Sequence, residues 1–285
     1  MANYSLHLGV NAPAASHYRA WVPSLRWAEK DASDWKAFFD SRGWRTSLEQ
    51  GQFATTGNLK YWIGNTIHAG DAELVVITWS GHGTQVRQGI TRDLLGFHGG
   101  REEADGRDEQ WVMYNRLFFD EEVRDQIARF RPPTKVVVIA DSCHSGTIFQ
   151  LRGDARGSGP RPSEDDPSVA LGSGDLARRD LADWAAESVV EANQAEYSRA
   201  LRSISGAAPT ADFVGLAACM DAELAFESRG NGHFTRAALR LLKEGFAGNY
   251  DEFLEAVKPR LERPQTPVPY WYGARAGLLR QPVFS

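Results

Sequence analysis

Residues Val136-Val137-Val138-Ile139-Ala140-Asp141-Ser142-Cys143-His144-Ser145-Gly146 read as a buried strand that runs out onto a thiol. Five apolar, mainly β-branched residues in a row have the length and composition of a strand covered on both faces. In an open α/β sheet, ligands bind in the crevice beyond the strand C-termini. Cys143 therefore stands where such a fold does its chemistry. A second run, Leu74-Val75-Val76-Ile77-Thr78-Trp79, ends in the same manner, in Ser80-Gly81-His82-Gly83. One strand end offers a thiol and the other an imidazole, the parts of a cysteine nucleophile and its base. They lie 61 positions apart in the chain; partners of this kind meet in space rather than in sequence.

The neighbouring sequence alternates between strand and helix patterns. Short strands are expected over 4–10, 45–48, 73–79 and 212–219. Helices are expected over 25–40, 55–69, 120–130, 176–203 and 234–243, with another beginning at Tyr250. Thr55 or Thr56 and Gly70 punctuate the second helix as cap and stop, and Pro259 ends or kinks the last one. Residues 84–119 read as a long polar loop, and 151–175, rich in Gly, Pro, Ser, Asp and Arg, as a mobile linker. Prolines 267 and 269 bar the tail from a central strand. This alternation predicts an α/β fold, a mainly parallel sheet flanked by helices.

Composition narrows the function. The 285 residues carry a formal charge of -5, which argues against a nucleic-acid-binding surface. No apolar run reaches the roughly 20 residues of a membrane span, and the N-terminus lacks a secretory pattern. Only Cys143 and Cys219 are present, too few for a disulfide framework. A reducing cytoplasm fits, and it keeps a thiol usable. No glycine-rich phosphate cradle opens a helix, so no organic cofactor is expected. Gly157-Ser158-Gly159 lacks a following lysine. A phosphatase loop would need arginine six positions after the thiol, where Phe149 stands.

His82 is the expected base, and Gly81 and Gly83 beside it let a substrate backbone approach. The amides of Gly83 and Cys143 are the expected oxyanion donors. His144, adjacent to the thiol, points to the opposite face and reads as structural. The expectation is spatial: sulfur and ring nitrogen face each other across one groove, and finding them on opposite sides of the molecule, or either sealed in the interior, would overturn the peptidase reading.

Five motifs resemble the caspase-like cysteine peptidases, specifically the metacaspase and bacterial orthocaspase branch. They are Ser80-Gly81-His82-Gly83-Thr84, Asp105-Gly106-Arg107-Asp108-Glu109, Asp141-Ser142-Cys143-His144-Ser145-Gly146, Ala218-Cys219-Met220-Asp221 and Gly232-His233-Phe234-Thr235. The resemblance implies a single caspase-like three-layer sandwich over 1–285, with a mainly parallel six-stranded sheet. Residues 1–150 correspond to a large-subunit-like part, 151–210 to a flexible linker with a helix, and 211–285 to a small-subunit-like part. It implies a cysteine endopeptidase with a His82/Cys143 dyad, cleaving protein or peptide substrates after Arg or Lys. Asp31, Ser80 and Asp141 would receive that basic residue, although Asp31 reads equally well as an exposed carboxylate of the first helix. It also implies calcium at Asp108, Asp120 and Glu121, with Gln150 where the family has a fourth carboxylate. Two departures stand out: Trp27-Ala28 precedes Asp31 where the family often has Gly-Cys, and the animal caspase Gln-Ala-Cys-x-Gly is absent. Arg152, Arg156, Arg161, Arg178 and Arg179 make 151–180 the expected site of self-cleavage in a zymogen awaiting an upstream activator. The rivals are a catalytically silent caspase-like interaction scaffold and a thiol hydrolase of small esters or amides.

Overall fold

Two β-branched runs without a polar break can be buried only as neighbouring central strands, and the chain pairs them. The computed structural model describes residues 1–19, 22–94, 96, 106–143, 176–220, 223–263, 265–272 and 277–285. In chain order the first elements are β1 (Ala2–Gly9), α1 (Ala15–Tyr18), α2 (Ala28–Asp40), β2 (Arg45–Gln50), α3 (Thr56–Ala69) and β3 (Ala72–Ser80). Next come β4 (Gly83–Arg87), β5 (Arg107–Val112), β6 (Leu117–Phe119), α4 (Asp120–Ala128) and β7 (Lys135–Asp141). Then follow β8 (Ala177–Arg178), α5 (Asp183–Ala192), α6 (Gln194–Arg202), β9 (Asp212–Ala217), β10 (Phe226–Ser228) and β11 (Asn231–Gly232). The chain closes with α7 (His233–Lys243), α8 (Tyr250–Val257) and β12 (Val268–Tyr272).

The main sheet has six strands in the order β12-β9-β7-β3-β1-β2. All pairs are parallel except β12 on β9. Alternate residues serve opposite faces. Val75, Ile77, Trp79, Val136 and Val138 pack with Leu59 and Ile63 of α3 and Val123 and Ile127 of α4. Leu74, Val76, Val137 and Ile139 pack with Trp35 and Phe39 of α2 and with α7 and α8. Helices thus cover both faces of the mixed, mostly parallel sheet, a three-layer α/β sandwich. Each fully buried aliphatic side chain here contributes roughly 1.5–3 kcal/mol. Among the described residues no helix is long and apolar enough to cross a membrane.

Two expectations need correction. Residues 84–119 are not simply a loop: β4, β5 and β6 form an antiparallel sheet of their own. Val86, Val112, Leu117 and Phe119 fill its inner side against Val189 and Val190 of α5. The charges of Arg107, Asp108 and Glu109 hid that pattern in the sequence. The helix expected over 176–203 begins only at Asp183 and breaks at Asn193, whose φ of -125° is not helical. Residues before Asp183 run extended instead, with β8 antiparallel to β10. The proline-bearing tail forms an edge strand, where a missing N–H is tolerated. Residues 151–175, expected as a linker, lie outside the described residues, as do His144 and Gln150.

Candidate active site

Parallel pairing of β3 with β7 sets Ser80 directly opposite Asp141. Two residues further on, each chain delivers its reactive group, His82 from one strand and Cys143 from the other. Gly83 lies against the Cys143 backbone so closely that a side chain there would overlap the Cys143 carbonyl. The nucleophile and base expected from sequence are thus brought to adjoining strand ends.

His82 Nε2 lies 2.7 Å from the carbonyl oxygen of Pro23. A carbonyl only accepts, so Nε2 carries the ring proton of the neutral form and Nδ1 is left as the basic lone pair. Nδ1 has no partner of ordinary hydrogen-bond geometry among the described residues. Pro23, unnoticed in the sequence, is the third group that fixes the ring. Burial holds the His82 pKa down to about 4, opposed by the Pro23 carbonyl and by Asp180. The Cys143 thiol is pushed well above its ordinary pKa by burial first and then by the Asp180 carboxylate. The Ala225 amide donates to its sulfur at 3.0 Å.

Cys143 is 0% exposed and His82 1% exposed. Both are sealed, contrary to the expectation of an open groove: Cys143 packs with Cys219, Leu224, Ala225 and Phe226, and the chain's own extended segment crosses the two strand ends. The amides of Gly83 and Cys143 both donate to one acceptor, the backbone carbonyl of Arg179, at 3.0 and 3.2 Å. The Arg179 amide in turn donates to Ala225 O at 2.9 Å, and Arg178 pairs with Phe226. Beyond the Arg179–Asp180 bond, Asp180 bridges Gly83, and the Leu181 amide donates to Gly83 O at 3.0 Å. The segment lies across the two strand ends as a peptide substrate would.

The Arg179 side chain is fully buried among carboxylates, although sequence placed it in an accessible linker. Its Nη1 donates to Asp141 O at 2.9 Å and lies 3.2 Å from Asp141 Oδ1. Its Nη2 donates to Asp31 Oδ2 and, at 3.2 Å, to Glu227 Oε2. Burial works against the guanidinium charge, but Asp141, Asp31 and Glu227 together raise its pKa. Asp31 is itself raised to about 7, by burial, with Arg179 opposing and Asp141 adding to the rise. Asp31 is therefore no exposed helix carboxylate. Ser80, expected beside it, is buried with an Oγ that has no hydrogen-bond partner among the described residues.

Glu227, which the sequence reading did not single out, stands against the Arg179 guanidinium as well. It also accepts from the Arg26 and Trp27 amides at 2.6 and 3.3 Å. An acid inside Leu224-Ala225-Phe226-Glu227 was the available signal, because such a residue is rarely buried unless paired. Gly232 completes the pocket: a methyl there would lie 2.7 Å from Arg179 Cζ.

Asp108, Asp120 and Glu121 come together at β5 and the start of α4, with one oxygen of each within 4.8 Å of the others. Asp120 Oδ1 and Glu121 Oε2 have no hydrogen-bond partner among the described residues. Asp108 is raised to about 7 and Asp120 well above its ordinary pKa, by burial first and then by the charge of Glu121. An oxygen-only cluster of crowded, buried carboxyls, two of them with an oxygen that has no hydrogen-bond partner among the described residues, fits a hard cation such as calcium.

A caspase domain matches residues 14–276. This chain belongs to the caspase domain family. The family is one of cysteine peptidases, and the thiol, the imidazole and the paired amides described above lie within the matched span. The protein GSU0716 of Geobacter sulfurreducens has a solved structure similar to this one. It is 25% identical, with a TM-score of 0.76 over 100% of this chain and 99% of that one. No curated protein matches the chain.

Proposed function

We propose that this caspase-family chain is a cysteine endopeptidase that cleaves after arginine and first processes itself at Arg179–Asp180. A single observation carries the reading: the Arg179 carbonyl accepts from both the Gly83 and Cys143 amides while its guanidinium is held by Asp31, Asp141 and Glu227. Paired amides on a carbonyl are the donors that acyl transfer needs for its oxyanion. His82 Nδ1 takes the thiol proton as sulfur attacks the Arg179 carbonyl carbon. The carbonyl electron pair moves to oxygen, and the C–N bond breaks as His82 returns the proton to the Asp180 nitrogen. Water, deprotonated by His82, then opens the thioester to an arginine carboxylate and the free thiol.

Three carboxylates and a main-chain carbonyl facing one flat cation suit arginine better than lysine, whose ammonium is a point charge without a fork. With this segment in place, burial keeps the thiol and imidazole neutral. That is a latent state, consistent with a zymogen. Asp108, Asp120 and Glu121 would hold calcium, whose charge would neutralise the acids where β5 meets α4.

Fluorogenic peptides with Arg, Lys or Asp before the scissile bond (P1) test the reading, alongside intact mass of the wild type and Cys143→Ala. Turnover is expected in the order Arg over Lys, with none for Asp, and a cut after Arg179 only where Cys143 is present. Turnover of the Asp peptide alone would refute the pocket, and a cut chain lacking Cys143 would refute the nucleophile.

A further inference from the structure

Breaking the Arg179–Asp180 bond does not vacate the groove, because each side of that bond is held by its own set of contacts. On the acyl side, Arg179 keeps its guanidinium contacts to Asp31, Asp141 and Glu227 and its amide bond to Ala225 O. The β8–β10 pairing of Ala177 and Arg178 with Glu227 and Phe226 reinforces it. On the amine side, the Leu181 amide bonds Gly83 O, and Thr84 Oγ1 donates to Leu181 O at 2.8 Å. The Leu181 side chain is buried at 1% exposure among Val86, Val112 and α5. None of these contacts uses the bond that is cut.

We infer that residues 176–181 are a resident inhibitor that survives its own cleavage. The inference rests on the peptidase reading and adds its regulation. After hydrolysis the new Arg179 carboxylate faces the Gly83 and Cys143 amides, and the new Asp180 amine stays beside His82. Both halves remain attached to the folded body, so outside substrate competes with a tethered product at high effective concentration. The retained amine can also attack the thioester in place of water: the S–C bond breaks, the C–N bond re-forms, and the amine's proton returns to sulfur through His82. Cleavage at this bond is then a reversible step, and activity toward other chains requires the segment to be displaced.

The test compares cut wild type with Arg179→Gln, which cannot seat the guanidinium, and with Leu181→Ala, which loosens the amine side without unpairing a buried charge. Two readouts are taken: alkylation of Cys143 by iodoacetamide, resolved from Cys219 by peptide mapping, and KM for an Arg-P1 peptide. Mass spectrometry reports the state of the 179–180 bond. In cut wild type Cys143 is expected to alkylate at least about tenfold more slowly than in either variant, and KM to be raised by a similar factor with kcat little changed, as for a tethered competitor. Cut wild type that alkylates as fast as both variants overturns the inference while leaving the peptidase reading intact. So does wild type that turns over the Arg peptide with 179–180 never cut. Failure of the wild type and of both variants to hydrolyse any peptide, with the 179–180 bond intact in the wild type, sinks the peptidase reading and the inference with it.

Discussion

Gly232 lacks a side chain where the arginine guanidinium passes. A methyl there would sit 2.7 Å from Cζ of the occupant and closer still to Asp141 Oδ2, both part of a packed, charge-paired site. The neighbouring backbone is fixed as well, since the Gly232 amide donates to Asp31 Oδ1 at 3.0 Å. Gly232→Ala is therefore expected to lower kcat/KM for an Arg-P1 peptide on the order of 100-fold, or about 2.7 kcal/mol of transition-state stabilisation. Steady-state kinetics on the purified variant check this; unchanged kcat/KM would mean that arginine does not enter past Gly232. Where two of the site's residues sit in the fold was readable beforehand. His82 and Cys143 could be singled out because each follows an apolar run, the one between Gly81 and Gly83 and the other three residues before Gly146. Glu227, Pro23 and Gly232 could not, because their roles depend on contacts across some 200 residues or on a main-chain oxygen that any residue could supply.

The small β4–β5–β6 sheet ties the site to the core through one aromatic contact. Trp79 of β3 stacks on Trp111 of β5, with centroids 5.5 Å apart and planes inclined by 16°. Trp111 itself pairs with Gly83, the residue after the base. Removing its ring leaves a cavity between two sheets, so Trp111→Ala is expected to cost about 3–5 kcal/mol in urea unfolding. A loss below 1 kcal/mol would show that the sheets are joined elsewhere. On the far side of the same sheet, β5 and α4 hold Asp108, Asp120 and Glu121. Millimolar calcium is expected to raise the midpoint of thermal unfolding at pH 7.5, and less at pH 5, where protons compete for the same oxygens. Asp120→Asn should abolish the shift; a wild type indifferent to calcium at both pH values removes the ion from the account. These strands were missed in the sequence because strand and loop both look polar when charged side chains alternate with a few apolar ones. Only the packing of α5 makes Val86 and Val112 a core. The central strands escaped that ambiguity by being apolar on both faces.

Across the whole fold, two sets of buried groups tilt stability in opposite directions with pH. His7 hydrogen-bonds Thr78 and Ser5 at 2.9 Å each and stacks on Phe39. Burial holds its pKa to about 3, against 6.5 ordinarily. His82 and His233 are likewise held to about 4, mainly by burial. Below pH 6.5 the unfolded chain binds protons that these rings refuse, so their contribution is whole above 6.5 and lost as pH falls toward 4. Asp31 and Asp108, raised to about 7, act in reverse: the native state keeps protons that the unfolded chain releases, so stability is lost as pH rises from about 4 to 7. Net curves therefore mislead, and a difference measurement is needed. The stability of wild type relative to His7→Asn is expected to be constant above pH 6.5 and to shrink by pH 5, read from urea midpoints at pH 7.5 and 5. Parallel behaviour at the two pH values would show that His7 is not held neutral.

Strand alignment also acts as a ruler for the chemistry. Ser80 and Asp141 are cross-strand neighbours, and the imidazole and the sulfur each come two residues later. Sliding β3 by one residue against β7 would displace His82 by roughly 3.3 Å and turn Trp79 from one helical layer toward the other. The hydrophobic side chains that fix which face each strand residue serves thereby also fix how far a proton has to travel.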